Sequence, residues 1–367
     1  MTESSNTANT GKTGNGGDSR RKRTGPNAGR GAGRGAGRGA GRGDAIRSAI
    51  NQIEWSLPSY SDKPVEPISD EDMQRIHDTS MRVLEEIGIV FLNEEALDIL
   101  AKAGCEFDFV NQNVRMDRTL VMEMVALAPS QFTITPRNPE RTLPVGGKHM
   151  LYSTVASAPN VSDLDHGRRV GSRPDFQNLI RLNQYFNCLH FIAGYPVEPV
   201  DIHASIRHLD CLYDMLTLSD KVVHAYSLGS GRIEDGMEMV RIAAGLTEAE
   251  FQDKPHMFTN INSTSPLKHD WPMLDGAMRC ARRGQAVVIS PFTLSGAMAP
   301  ATVAGAIVQQ NAEFLAGLVL MQSVRPQTPV IYGAFTSNVD MKSGSPAFGT
   351  PEYIRAMQIS GQLARRY

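Results

Sequence analysis

Gln285-Ala-Val-Val-Ile-Ser290 and Thr328-Pro-Val-Ile-Tyr-Gly333 decide the fold. Each is a short apolar run bounded by turn residues, the composition of a strand covered on both faces. Between them, residues 291–300 form a loop punctuated by Gly and Pro, and residues 301–323 an Ala/Leu/Val-rich helical stretch. Residues 338–349 then form a polar Ser/Gly loop, and Thr350-Pro351-Glu352 opens another helix with an N-cap, a proline in the first turn and an early carboxylate. Strand and helix alternating in this order imply a parallel sheet, in which chemistry sits in the loops that follow the strands.

The same rhythm extends back to residue 150. Strands are expected over 150–155, 190–195, 221–227, 256–262, 286–290 and 330–334. The helices that follow them are expected over 173–186, 202–218, 232–245, 269–283, 301–323 and 351–366. About six βα units result. An open doubly wound sheet could hold six strands, but no nucleotide fingerprint stands at the first turn. Gly229-Ser-Gly231 starts a helix after a strand, yet the third glycine of a G-x-G-x-x-G pattern would fall on Glu234, so a tight βα turn is the better reading. The expected class is therefore α/β, a TIM-type (β/α)8 barrel that is incomplete, with the sequence stopping inside a helix.

Upstream, residues 48–148 read as a mixed α+β region. A helix over 69–86 carries Met73, Ile76, His77, Ser80, Val83, Leu84 and Ile87 on one stripe. A strand over 89–92, a helix capped by Asn93, a hairpin over 105–116, a helix over 117–128 and strands over 132–135 and 142–145 follow. Residues 1–47 hold ten Lys/Arg against three Asp/Glu, so a tail near +7 precedes a remainder near −9. Its Arg/Gly repeats have almost nothing apolar to bury and are expected to be disordered. Such a tail can bind RNA or another polyanion, which would make the chain a non-catalytic interaction protein; the acidic remainder and its lack of RNA-binding motifs favour a solubilising extension.

With 41% hydrophobic and 21% charged residues, the 367-residue chain is an ordinary soluble protein able to bury a large core. No run of eighteen apolar residues occurs, because Gln309, Gln310, Asn311 and Glu313 interrupt the longest one, so no membrane span is expected. Cys105, Cys188, Cys211 and Cys280 are scattered without ligand spacing and fit a reducing cytoplasm. The histidines, among them His149, His166, His190, His224, His256 and His269, form no H-x-H or H-E-x-x-H pattern, and no metal is expected. Asp201-Ile202-His203 matches the start of the cobalt-ligating D-x-H-x-x-G pattern, but Ile206 stands where the glycine belongs, so Asp201 reads as an N-cap.

The strand ends supply Tyr152, Ser153, Tyr195, Tyr226, Asn262, Ser263, Ser290 and Tyr332, with Asp340 beyond. In a parallel barrel such positions converge on one mouth. Aromatic walls with neutral hydrogen-bonding groups and one carboxylate suit a small organic cation, above all a quaternary ammonium that cannot donate hydrogen bonds.

Three segments carry a family resemblance: Ser290-Pro-Phe-Thr-Leu-Ser-Gly-Ala-Met-Ala-Pro-Ala-Thr302, Val330-Ile-Tyr-Gly333 and Asp340-Met-Lys-Ser-Gly-Ser-Pro-Ala-Phe-Gly-Thr-Pro-Glu352. With the region from Ile68 to Pro129, they make everything after about residue 65 resemble the trimethylamine methyltransferase family of corrinoid-dependent methylamine and betaine methyltransferases. The resemblance implies a (β/α)8 barrel and methyl transfer from an amine to Co(I) of a separate corrinoid protein, with no cofactor held stably by this chain. It implies either a quaternary amine such as glycine betaine, which is favoured here, or trimethylamine. The segment in which some members carry pyrrolysine would lie beyond Tyr367. On this reading Tyr152, Tyr195 and Tyr332 are wall candidates, Asn262 and Ser263 polar orienters, and Asp340 the charge partner of a bound amine. The catalytic residues are unassigned, and a cytoplasmic homo-oligomer is expected.

Overall fold

A computed structural model describes residues 52–367. The tail read over residues 1–47 lies outside the described residues, as does its polyanion-binding alternative. Helix α1 (Asp70–Arg82) starts where the Ser69 side chain accepts from the Asp72 amide, and three carboxylates occupy its positive end. The next turn, Val83–Ile87, widens, and the Gly88 N–H closes on the Val83 carbonyl at 2.8 Å. There follow β1 (Ile89–Phe91), α2 (Glu94–Lys102), β2 (Glu106–Asp108), β3 (Asn113–Arg115), α3 (Arg118–Leu127), β4 (Gln131–Ile134) and β5 (Leu143–Gly146). Asn93 and Asp117 cap α2 and α3 with their side chains.

A hairpin of β6 (Asn160–Asp163) and β7 (Gly167–Val170) leads to α4 (Arg173–Tyr185), β8 (Phe191–Ile192), α5 (Arg207–Leu218), β9 (Val222–Val223), α6 (Ser230–Ala243), α7 (Glu248–Asp253), β10 (Phe258–Ile261), β11 (Lys268–His269) and α8 (Trp271–Arg282). The remainder is β12 (Ala286–Ile289), β13 (Phe292–Ser295), α9 (Val303–Val324), β14 (Val330–Tyr332), β15 (Phe335–Asn338) and α10 (Pro351–Arg366). Parallel neighbours run in sequence order: Ser153 bridges Phe191, β8 pairs with β9, His224 bridges Phe258, and β10, β12 and β14 form one ladder. The α/β alternation expected from the sequence is the architecture found: five of the six expected stretches hold strands β8, β9, β10, β12 and β14, and the stretch 150–155 contributes a single bridge at Ser153.

Three details differ from expectation. Helix α5 begins at Arg207, and Asp201 caps no turn of it; its carboxylate instead takes the Arg173 N–H at 2.8 Å, at the start of α4. The Gly/Pro-punctuated stretch 291–300 contains β13, which pairs in parallel with β15 and stacks Phe292 on Phe335 at 4.5 Å. Strand β11 turns back to pair with β1, so the upstream region shares a sheet with the βα units, and a single core runs from Met81 and Leu84 to Leu320 and Met321.

Helix α9 is the centre of that core, packing against α1, α2, α3, α8 and α10. Its length and composition would suffice to cross a membrane, but 78% of its most apolar window is buried inside the protein. The interrupting polar residues are buried as well, and each ties down a different segment. Gln309 donates to the Met298 carbonyl at 3.0 Å, Gln310 donates to Ser360 at 2.9 Å, and Asn311 accepts from the Tyr332 hydroxyl at 3.0 Å. The Glu313 carboxylate, with no exposed surface, accepts from Ser263, from Ser265 at 2.7 Å, from the Leu267 amide at 2.7 Å and from Gln309 at 2.9 Å. A buried carboxylate is tolerable only when its lone pairs are filled in this way. Glu313→Ala strands the Ser263, Ser265 and Leu267 donors and is expected to cost about 3–5 kcal/mol in urea unfolding, with Glu313→Gln losing less; a loss below about 1 kcal/mol would contradict this role.

Candidate functional site

Strand parity selects what faces the interior of the parallel strands. The register places Asn260 beside Val288 and Val288 beside Ile331, whereas Ile261, Ile289 and Tyr332 are neighbours on the opposite face. The first set lines a cavity of about 720 Å³ together with Phe191, Ala193, Val222, His224, Tyr226 and Phe258. Ile134, Leu143 and Val145, from the β4–β5 pair, also line it. Leu143, Ile134 and the early strand residues Val222, Phe258 and Ala286 pack as one apolar cluster, which forms its floor. Ser157, Leu228, Asn262 and Met273 line it beyond the later residues of the same strands. No Asp, Glu, Lys or Arg is among the lining residues.

Tyr226 holds its place through both ends of its hydroxyl: it shares a 2.8 Å hydrogen bond with Ser157 Oγ and accepts the Tyr195 N–H at 3.1 Å. Gly194 makes this approach feasible. Its φ is +142°, and a Cβ there would stand 2.5 Å from the Tyr226 hydroxyl. Burial raises the Tyr226 pKa, so the hydroxyl stays protonated. Asn262 donates to the Ser290 carbonyl at 2.7 Å and accepts from Asn260 at 3.3 Å. His224 accepts the Asn260 N–H on Nε2 at 3.1 Å, which places the ring proton on Nδ1. Full burial pushes its pKa down to about 3, so the imidazole is neutral at pH 7.

Of the six residues read from the sequence as binding the amine, only Asn262 lines the cavity, joined by the strand-end Tyr226; Tyr152, Tyr195, Ser263, Tyr332 and Asp340 do not. Tyr152 is half exposed, with its hydroxyl on Met150 Sδ, while its neighbour Leu151 faces in. Tyr195 departs from the cavity at Gly194 and packs edge-on against Phe176 at 5.6 Å and Tyr226 at 4.7 Å. Tyr332 turns to α9, its ring 4.0 Å from that of Phe314. Ser263, one residue after Asn262, faces Glu313. Asp340 is an exposed turn residue whose carboxylate accepts the Lys342 and Ser343 amides at 2.8 and 3.0 Å; these hydrogen bonds hold its pKa low, and it does not line the cavity. His224 and Tyr226 take the places that those residues vacate. Tyr226 was legible as a strand-end tyrosine; His224, read as a hydrogen-bonded structural histidine, carried no motif. Among the described residues, no three His, Cys, Asp or Glu side chains gather as a metal-binding group.

The profile of the trimethylamine methyltransferase (MTTB) family matches residues 34–367. Glycine betaine methyltransferase of Desulfitobacterium hafniense (strain Y51) is 37% identical over 85% of this chain and 63% of its own length. Proline betaine:corrinoid methyltransferase of Eubacterium limosum is 28% identical over 82% of this chain and 62% of its own. Trimethylamine methyltransferase MttB of D. hafniense (strain DSM 10664 / DCB-2) is 29% identical over 82% and 60%. The chain thus spans about three fifths of the length of these curated relatives.

The lowered pKa of His224 has a consequence for stability. Between its unfolded value of 6.5 and about 3, the unfolded chain takes up a proton that the folded chain refuses. Stability contributed by the neutral ring is therefore full above pH 6.5 and lost as pH falls through that window, by something on the order of 5 kcal/mol. Urea unfolding from pH 7.5 to 3.5 is expected to show a shallower acid decline for His224→Phe than for the parent chain; parallel curves would contradict the burial argument.

Proposed function

The chain belongs to the trimethylamine methyltransferase family, and from that premise we propose that it transfers a methyl group from a net-neutral quaternary amine of the glycine betaine class to a corrinoid carried by a separate partner protein. The observation that carries this reading is the cavity, aromatic and apolar, with hydrogen-bonding groups but no charged side chain. A bare organic cation would be buried there without a counter-charge, at a cost of several kcal/mol. A betaine brings its own carboxylate. The 37% identity to a glycine betaine methyltransferase points the same way.

In this reading the parallel βα units are those of a (β/α)8-type barrel, and the cavity is its lumen. The partner's corrinoid supplies the Co(I) nucleophile that accepts the methyl group. The chain's own residues bind and orient the amine. Tyr226 offers an aromatic face to the methylated nitrogen, Phe191 and Phe258 close the apolar floor beneath it, and Asn262, pinned to the Ser290 carbonyl, restricts its tilt. When the C–N bond breaks, its electron pair stays on nitrogen and the amine leaves neutral, so no proton donor is required. That agrees with a site whose only titratable side chains, His224 and Tyr226, are held neutral by burial. We place the activity in the cytoplasm of a homo-oligomeric protein.

Titration calorimetry of the full chain with glycine betaine tests the reading. Binding is expected, with Tyr226→Ala weakening it about 10- to 30-fold and Tyr152→Ala leaving it unchanged. Tight binding that survives Tyr226→Ala but disappears in Tyr152→Ala would place the amine outside the cavity.

A further inference from the structure

The hydroxyl protons at Tyr226 and Ser157 can be assigned by counting donors. Tyr226 accepts the Tyr195 N–H at 3.1 Å and shares one further hydrogen bond, at 2.8 Å, with Ser157 Oγ. Among the described residues, Ser157 Oγ is the only group bonded to Tyr226 that can accept its single proton, so Tyr226 donates to Ser157; the reverse direction would leave that proton unmatched. Ser157 keeps its own proton. It is exposed, it lines the cavity, and among the described residues no other group accepts from its hydroxyl. Its backbone lies in the left-handed region, at φ +60°, held by its N–H on the Tyr195 carbonyl at 2.7 Å. Glycine would adopt that conformation at less cost, and what serine adds there is the hydroxyl.

We infer that the Ser157 hydroxyl donates to the carboxylate of a betaine-class substrate, as the last member of a chain that runs from the Tyr195 N–H through the Tyr226 hydroxyl. This rests on the reading of the cavity as the amine site. Each hydrogen bond in such a chain polarises the next, which strengthens the terminal donor. No charged side chain lines the cavity, so a carboxylate there has to be met by neutral donors of this kind. In glycine betaine a single methylene separates the carboxylate from the methylated nitrogen. A carboxylate on Ser157 therefore sets the nitrogen beside Tyr226, the next residue in the chain. Tyr226 then serves both ends of the substrate, its ring toward the methyl groups and its hydroxyl, through Ser157, toward the carboxylate. A bare quaternary ammonium has no acceptor to offer and leaves the Ser157 proton to water, so this serine favours betaines over simple cations.

Ser157→Gly removes the hydroxyl and suits the left-handed backbone, so the variant keeps its fold. In titration calorimetry of the full chain it is expected to weaken glycine betaine about 10-fold. Choline, which keeps the trimethylammonium group and replaces the carboxylate by a hydroxyl, should stay within about threefold. Tyr226→Phe keeps the ring and removes only the link in the chain. It should weaken betaine about threefold when Ser157 is present and have no further effect in the Ser157→Gly background, a non-additivity that separates a chain from two independent contacts. If choline binds too weakly to titrate, the betaine affinities and this coupling decide alone. Unchanged betaine affinity in Ser157→Gly, equal losses for the two ligands, or independent effects of the two substitutions would overturn the inference while leaving the amine site standing. Failure of the unsubstituted chain to bind glycine betaine would overturn both.

Discussion

A carboxylate with no exposed surface, Glu313, governs the arrangement around it. Placed in the middle of the most buried helix, it has to be met by donors, and the stretch after β10 supplies them: the Ser263 and Ser265 hydroxyls and the Leu267 amide. Meeting that demand fixes the backbone immediately after Asn262 and aims that side chain into the cavity. The other polar residues of α9 act similarly on the loop at Met298, on α10 through Ser360, and on β14 through Tyr332. Apolar packing alone would bring these segments together without fixing their register, because it has no direction. The hydrogen bonds of α9 supply the direction.

The cavity follows a different rule. Its walls hold no charge, and its tyrosine and histidine stay neutral through burial. Such an environment does little for a substrate that must be protonated or deprotonated on the way to product. It suits a reaction in which the leaving group is already neutral, where orientation and exclusion of water are the contributions a protein can make.

The architecture was legible because short apolar runs alternate with long periodic ones, a signal that does not depend on tertiary context. The faces of the strands were not. In a sheet covered on both sides, Val287 and Val288 or Ile331 and Tyr332 look alike in sequence, although one of each pair meets the cavity and the other the helices. Choosing residues by their nearness to a strand end therefore selected Tyr332 and Ser263, which have the wrong parity, together with Asn262, which has the right one. Tyr195 would have passed a parity count and still failed, because Gly194 changes the direction of the chain. The polar residues of α9 served in the sequence only to exclude a membrane span, since nothing local reveals that a glutamate in an apolar helix will find three donors some fifty residues upstream.

Alternating faces on shared strands also divide the protein's evolutionary freedom. Val288, Ile331 and Asn260 touch whatever occupies the cavity, while Ile289, Tyr332 and Ile261, one position along, hold the helices. Even and odd positions of one short strand thus answer to separate selective pressures. Exchanging cavity-facing residues can change what the cavity accepts while the helix-facing set stays fixed, so such divergence need leave little trace in the shape of the scaffold. His224 is the exception: its ring replaces a ladder partner for Asn260 as well as facing the cavity, so a change there is felt by sheet and ligand together.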